Sequence, residues 1–241
     1  MTTIRKSSQT PLEGDSSFTQ DALSGLGKLD RSRPLGIQVY EIIRLGIILE
    51  RLKPNDPINE TELSDALGVS RTPLRDAYRR LVEDGLIHSR PKSGTRVAPI
   101  DDARVREGIV IRRALEREVV KLLCSAPADL RPLDSILALQ SVAVSHGDHL
   151  EFFKQDERFH AALADIAGLP SAWRLAHSVK SHTDRARIML TGNLPNRINV
   201  AFGEHLALMD AIRAADADLS QALIAKHINS AFEAVDDHAA S

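Results

Sequence analysis

Residues 62–87, ELSDALGVSRTPLRDAYRRLVEDGLI, leave the backbone few choices. A short amphipathic run carries Leu63, Ala66 and Leu67 on one face, and Gly68 supplies its C-terminal stop. Two residues later a second helical pattern starts at Ser70. Leu74, Ala77, Tyr78 and Leu81 follow the i, i+3, i+4, i+7 spacing and should face inward. Pro73 fits only in the first turn, where its missing N–H has no helical bond to lose. Arg71, Arg75 and Arg79 recur every four residues and share a different, solvent-facing stripe. The pattern predicts two helices joined by a tight turn, the second opening with forked cations.

The flanks complete a unit. LGIQVYEIIRLGIILERL, from Leu35, places Leu35, Val39, Ile42, Ile43 and Ile47 on one helical face. KPNDPIN breaks it with two prolines, and Asn59 can cap the next helix with Glu62 as its capping-box partner. After Gly85, LIHSRPKSGTRVAPI has β-branched ends around a Pro-Lys-Ser-Gly turn, the pattern of a hairpin. Three helices and a hairpin make a winged helix-turn-helix, whose second motif helix enters the DNA major groove. A solvated helix face is the plain alternative for the three arginines. Their place on the third helix, ahead of a basic hairpin, favours DNA. Ser70 to Arg96 holds seven Lys/Arg against three Asp/Glu, whereas Pro99 onward holds sixteen against twenty. The net charge of −2 hides this asymmetry, which suits a basic DNA-facing module beside a mildly acidic one.

Composition excludes several classes. Aromatic content of 4% argues against a base-stacking surface for single strands. The lone Cys124 rules out an intrachain disulfide framework and a thiolate zinc cluster. No apolar run reaches the length of a membrane span, and the N-terminus lacks the apolar core of a signal peptide. The expectation is a cytoplasmic, nucleoid-associated protein with no membrane partner. Residues 1–33, rich in Ser, Thr, Gly and Asp, are expected to form a flexible arm without assigned function.

From residue 101 every window is helical: 103–124, 129–145, 148–167, 171–190, 196–214 and 217–236. Most breaks carry Pro or Gly, as in SAPADL, SHGDHL, AGLPS and TGNLPN. The fold class is therefore mainly α: an N-terminal winged helix-turn-helix with a small β-hairpin wing (34–100), then an all-α bundle of about six helices (101–236) and a short tail (237–241).

The second half concentrates histidine. QDERFHAAL sets Asp156 and His160 at i, i+4, a two-ligand metal clamp or a helical ion pair. His205 lies beside Leu206, Met209 and Ile212, and His227 among Leu223, Ile224, Ile228 and Phe232. A single histidine on an apolar face is commonly a hydrogen-bonded core residue. Three histidines and an aspartate able to converge from three helices point further, to one divalent cation. Such a set suits zinc, which we favour, or nickel, manganese or iron. A regulator whose metal is purely structural is one competing expectation; a metal-dependent hydrolase or lyase with an accessory DNA-binding segment is the other. The enzyme needs a base beside the metal. Glu204 neighbours His205 but is turned about 100° around the helix.

These motifs resemble a known family. ELSDALGVSRTPLRDAYRRLVEDGLI resembles the DNA-binding segment of GntR-family bacterial transcription regulators. IRRALE, DERFHAALADIAG and EHLALMDAIRAADADLSQALIAKH resemble the FCD ligand-binding domain of the FadR subfamily, and six rather than seven helices resembles its VanR-type branch. The resemblance implies a homodimeric regulator on a palindromic operator, most simply a repressor released by a small anionic organic-acid effector. It implies that Asp156, His160, His205 and His227 hold the metal at the floor of the effector pocket. Arg112, in the R-x-x-L-E pattern, and its neighbour Arg113 would bind the effector, although Arg112 can instead pair with Glu116 one turn on. On the DNA side it implies contacts from Ser70, Arg71, Thr72 and Arg75, with Gly94 as the wing glycine; Arg79 extends the same stripe. Thr61 stands where some members have a DNA-contacting arginine, so that contact is absent or weakened.

Overall fold

A computed structural model of the chain describes residues 22–90, 94–191 and 197–239. Helix α1 (Leu35–Ile48) is followed by the short strand β1 (Pro57–Ile58), then α2 (Glu60–Leu67) and α3 (Arg71–Glu83). Strands β2 (Ile87–Arg90) and β3 (Gly94–Val97) form the wing. The sheet has the order β1-β3-β2 and is antiparallel throughout, with Ile87 opposite Val97 and Pro57 opposite Arg96. The strand β1 lies in the segment expected only to break the helix. Of the wing turn, residues 91–93 lie outside the described residues, while Gly94 has the left-handed φ of 73°.

Local chemistry explains the turn of the helix-turn-helix. Asn59 caps α2, its Oδ1 accepting from Thr61 N at 2.9 Å. The Asn59 side-chain amide also donates to Glu62 Oε1 at 2.9 Å. Gly68 takes the left-handed conformation (φ 61°), and Val69 N–H closes back onto Ser64 O at 3.0 Å. Leu63, Leu74, Ala77, Tyr78 and Leu81 are buried against Val39, Ile43 and Ile47 of α1, as the spacing predicts.

Residues 22–33 correct the expected arm. Ala22, Leu23 and Leu26 are buried in the N-terminal core, and Arg31 donates to Gly68 O at 3.0 Å. Gly46 makes room for them: a Cβ there would stand 3.0 Å from Leu23. The rest of the arm, residues 1–21, lies outside the described residues.

Residues 98–101 lead into the second unit. It consists of α4 (Asp102–Ser125), α5 (Arg131–His146), α6 (His149–Ile166), α7 (Pro170–Thr191), α8 (Arg197–Arg213) and α9 (Ala217–Ala239). The last helix runs three residues into the expected tail, and most of the TGNLPN break lies outside the described residues. Asp101 caps α4 through Ala103 N at 2.9 Å, and its own N–H donates to His182 Nδ1 on α7 at 3.3 Å. Burial, with Arg185 and Arg104 nearby, pushes the His182 imidazole down to about 4, so it is neutral and able to accept this bond. The linker is thus pinned to the helical domain.

The long α4 is sandwiched between α7 and α9, with Val105, Ile109, Val120 and Leu123 buried. Gly108 lets α4 and α7 touch backbone to backbone. A Cβ there would stand 2.6 Å from Val179 O and 2.9 Å from Thr183 Oγ1. Gly108→Ala is therefore expected to lose net stability of about 1–2 kcal/mol, because overpacking outweighs the ~1 kcal/mol gain in helix propensity. Chemical denaturation checks this; a variant as stable as wild type would mean that the two helices part at no cost.

Candidate metal centre and DNA-contacting helix

Three helices deliver four donors to one point. Asp156 and His160 lie one turn apart on α6, His205 on α8 and His227 on α9, all buried, and one ligand atom of each lies within 4.8 Å of the others. His205 Nε2 is 3.5 Å and His160 Nε2 3.9 Å from Asp156 Oδ1. Four donors bound tetrahedrally at 2.0–2.1 Å would stand roughly 3.3–3.5 Å apart, so a small contraction suffices. Asp156 Oδ1 and the Nε2 atoms of all three histidines are buried without a hydrogen-bond partner. Buried polar atoms are normally paired. Four unpaired atoms facing one point fit a divalent cation.

The distal nitrogens are held from behind. His205 Nδ1 is 2.9 Å from Gln140 Oε1 on α5, and His227 Nδ1 is 2.9 Å from Glu204 Oε2 on α8. His160 Nδ1 approaches Glu116 Oε2 on α4 at 2.7 Å, although off the direction of a good hydrogen bond. Outer partners of this kind fix the tautomer and leave Nε2 for the metal. Trp173 stacks on His160, ring centroids 5.8 Å apart, and Phe159 stacks on His205 at 4.4 Å.

Electrostatics prepare the donors. Burial alone would raise the Asp156 carboxyl, but Arg187, 3.8 Å away, and the histidines hold it well below the carboxylate range. Burial pushes His205 well down and also lowers His227 against the pull of Glu204. Asp156 is thus an ionised carboxylate, and His205 and His227 are held as neutral imidazoles, the forms that bind metal.

The arginines of α4 separate. Arg112 is buried, and its Nε donates to Glu116 Oε1 at 2.8 Å, the ion-pair alternative. Burial works against the Glu116 charge, yet Arg112 and His160 keep the carboxyl ionised. Arg112 therefore stands one link behind His160. Arg113 instead reaches Asn229 on α9 at 3.5 Å. Glu204 stands behind His227, not beside the donors as a catalytic base must. Sequence reasoning missed Glu116, Gln140 and Arg187 as neighbours of the centre. Leu206, next to His205, is 41% exposed, whereas Met209 and Ile212 are buried.

On the other unit, Ser70, Arg71, Thr72, Arg75 and Arg79 are all exposed, as is Gly94. Arg71, Thr72 and Arg75 occupy the N-terminal half of α3. Arg79 lies further along, 3.5 Å from Glu83, and lines a cleft of about 620 Å³ with Tyr40, Trp173 and His177.

Two family models cover most of the chain: "Bacterial regulatory proteins, gntR family" matches residues 35–97, and "FCD domain" matches residues 107–230. The chain belongs to the gntR family. A relative in Escherichia coli K12, "HTH-type transcriptional repressor RspR", is 31% identical over 210 residues, covering 86% of this chain and 92% of that one. "Probable D-xylose utilization operon transcriptional repressor" of Paenarthrobacter nicotinovorans is 31% identical over 198 residues, 79% of this chain and 84% of its own. Among solved structures, "E. coli McbR/YncC" shares the fold with a TM-score of 0.73 at 21% identity, over 85% of this chain and 98% of that one. GntR-family members with an FCD domain are DNA-binding transcription regulators, and the enzyme expectation gives way to that. No helix among the described residues is long and apolar enough to cross a membrane.

Proposed function

We propose that this regulator is a homodimeric repressor whose helical domain holds one divalent metal, zinc favoured, and releases a palindromic operator when a small organic acid binds over it. The four unpaired donor atoms of Asp156, His160, His205 and His227 carry the metal reading. Relatives named as transcriptional repressors support the direction of control. A cation with four protein donors keeps room for a carboxylate, which suits an anionic effector. We assign Arg112 and Arg113 to the side from which that anion arrives. Arg112 reaches it through its terminal nitrogens, because Nε is committed to Glu116. One α3 covers a half-site, so two copies read a palindrome, with Ser70, Arg71, Thr72 and Arg75 at the groove and Gly94 at the wing.

Metal-stripped and zinc-loaded protein titrated with a panel of small organic acids tests the effector site. A carboxylate should bind the loaded form at least about tenfold more tightly and come off chemically unchanged. Equal binding to both forms would make the metal structural and the pocket something else. Two protein chains per duplex in sedimentation is the expected stoichiometry.

A further inference from the structure

Arg44 lies on α1 of the DNA-binding unit but turns to the helical domain. Its side chain is 1% exposed. Nε donates to Ser181 Oγ on α7 at 3.0 Å, and Nη1 to Glu157 Oε1 on α6 at 3.2 Å. Nη2 lies 3.7 Å from Asp184 Oδ2. Burying a guanidinium is costly, and a leucine would seal the same contact without that cost. The charge therefore calls for a reason.

Its partners lead back to the metal donors. Lys180 Nζ donates to Asp184 Oδ2 at 2.6 Å and to Glu157 Oε1 at 3.2 Å. Arg187 Nη2 bridges Asp184 Oδ1 and Asp156 Oδ2, 3.8 Å from each. Asp156 presents its other oxygen to the histidines. Arg44, Lys180 and Arg187 thus share the carboxylates of Asp156, Glu157 and Asp184, with Glu41 of α1 also 3.8 Å from Arg44 and His177 3.5 Å from Glu157. The set has slack: Arg44 Nη2 and Asp184 Oδ1 are buried without a hydrogen-bond partner.

We propose that the chain Asp156–Arg187–Asp184–Arg44 couples the state of the metal centre to the seating of α1, and through α1 to the recognition helix α3 packed along it. This rests on the Asp/His set holding a cation. Once Asp156 is committed to one, Arg187 shifts its weight to Asp184. Asp184 holds Lys180 at 2.6 Å but Arg44 only at 3.7 Å, so the Arg44 contact yields first. Buried charges are weakly screened, so small displacements carry weight. Cation loading therefore loosens α1 from α7, and an anion added over the cation reverses it.

Amide hydrogen exchange of full-length protein, chelator-stripped against loaded with Zn(II), reads this directly. Exchange in α1 should rise about fivefold or more on loading, the low end of ordinary coupling. Arg187→Gln and Arg44→Met should each bind zinc stoichiometrically, yet lose the α1 response. Arg187→Gln should bind zinc more tightly, because a cation beside Asp156 is gone. If Arg44→Met fails to fold, Arg187→Gln decides alone. Zinc binding with no α1 response in wild type, or with the response intact in Arg187→Gln, overturns the coupling and leaves the metal site standing. Wild-type protein that binds no zinc overturns both.

Discussion

His205→Ala protein, purified without chelator, is expected to carry little metal while wild type carries about one ion per chain. His205 is one of the four candidate donors and is fully enclosed, so no neighbouring side chain can take its place. Loss of an outer partner alone commonly costs 10–100-fold in metal affinity, so loss of a donor should cost about 100-fold or more. Effector response should disappear with the metal. Operator binding should persist, because the N-terminal core around Ile43, Leu63, Leu74 and Leu81 draws none of its fully buried residues from the helical domain. The cavity left beside Phe159 will cost stability, so His205→Gln, which keeps volume, is the companion variant. Metal analysis alongside DNA titrations with and without effector is the measurement. Wild-type protein that cannot be loaded removes the site; a normal effector response from metal-poor His205→Ala would leave the metal a purely structural part.

Arg75→Ala should weaken binding about tenfold or more to a duplex selected from random sequence by wild type. A bidentate arginine–guanine contact is worth about 1–3 kcal/mol of discrimination. Arg71→Ala is expected to weaken binding to all sequences alike and to flatten the salt dependence, the mark of a phosphate contact. Both side chains are exposed on α3, so folding stability should move by no more than about 0.5 kcal/mol. Fluorescence anisotropy across a salt series separates the two roles. Unchanged affinity in both variants would take DNA reading away from this helix.

The chain's order was legible wherever one short window carried both period and punctuation. Gly68, Pro73 and the leucines between them define the turn locally. Asp156 and His160 announce themselves by one-turn spacing, and His205 and His227 by standing on apolar stripes. What stayed hidden needs three dimensions. Gln140 is an ordinary polar residue on α5, made meaningful only by the His205 ring it holds. That Glu116 and Glu204, noticed in the sequence for other reasons, stand behind His160 and His227 shows only in the fold. Arg44 interrupts an apolar run, and nothing local says that α1 is covered on a second side by α7. Leu23 and Leu26 lie in a segment dominated by polar residues, too short to show a period, and their burial depends on the space at Gly46.

Trp173 is the chain's single tryptophan. One face of its ring stacks on His160, and it also lines the same cleft as Arg79 and Arg80 of α3. Its emission is therefore a built-in optical readout of two events at once. A paramagnetic ion such as Ni(II) beside His160 should quench it at contact range, whereas d10 Zn(II) should leave the yield largely intact. A change in the cleft should move the emission maximum instead, as water gains or loses the indole. Intensity and wavelength thus report occupancy and domain placement separately, in the unlabelled native protein.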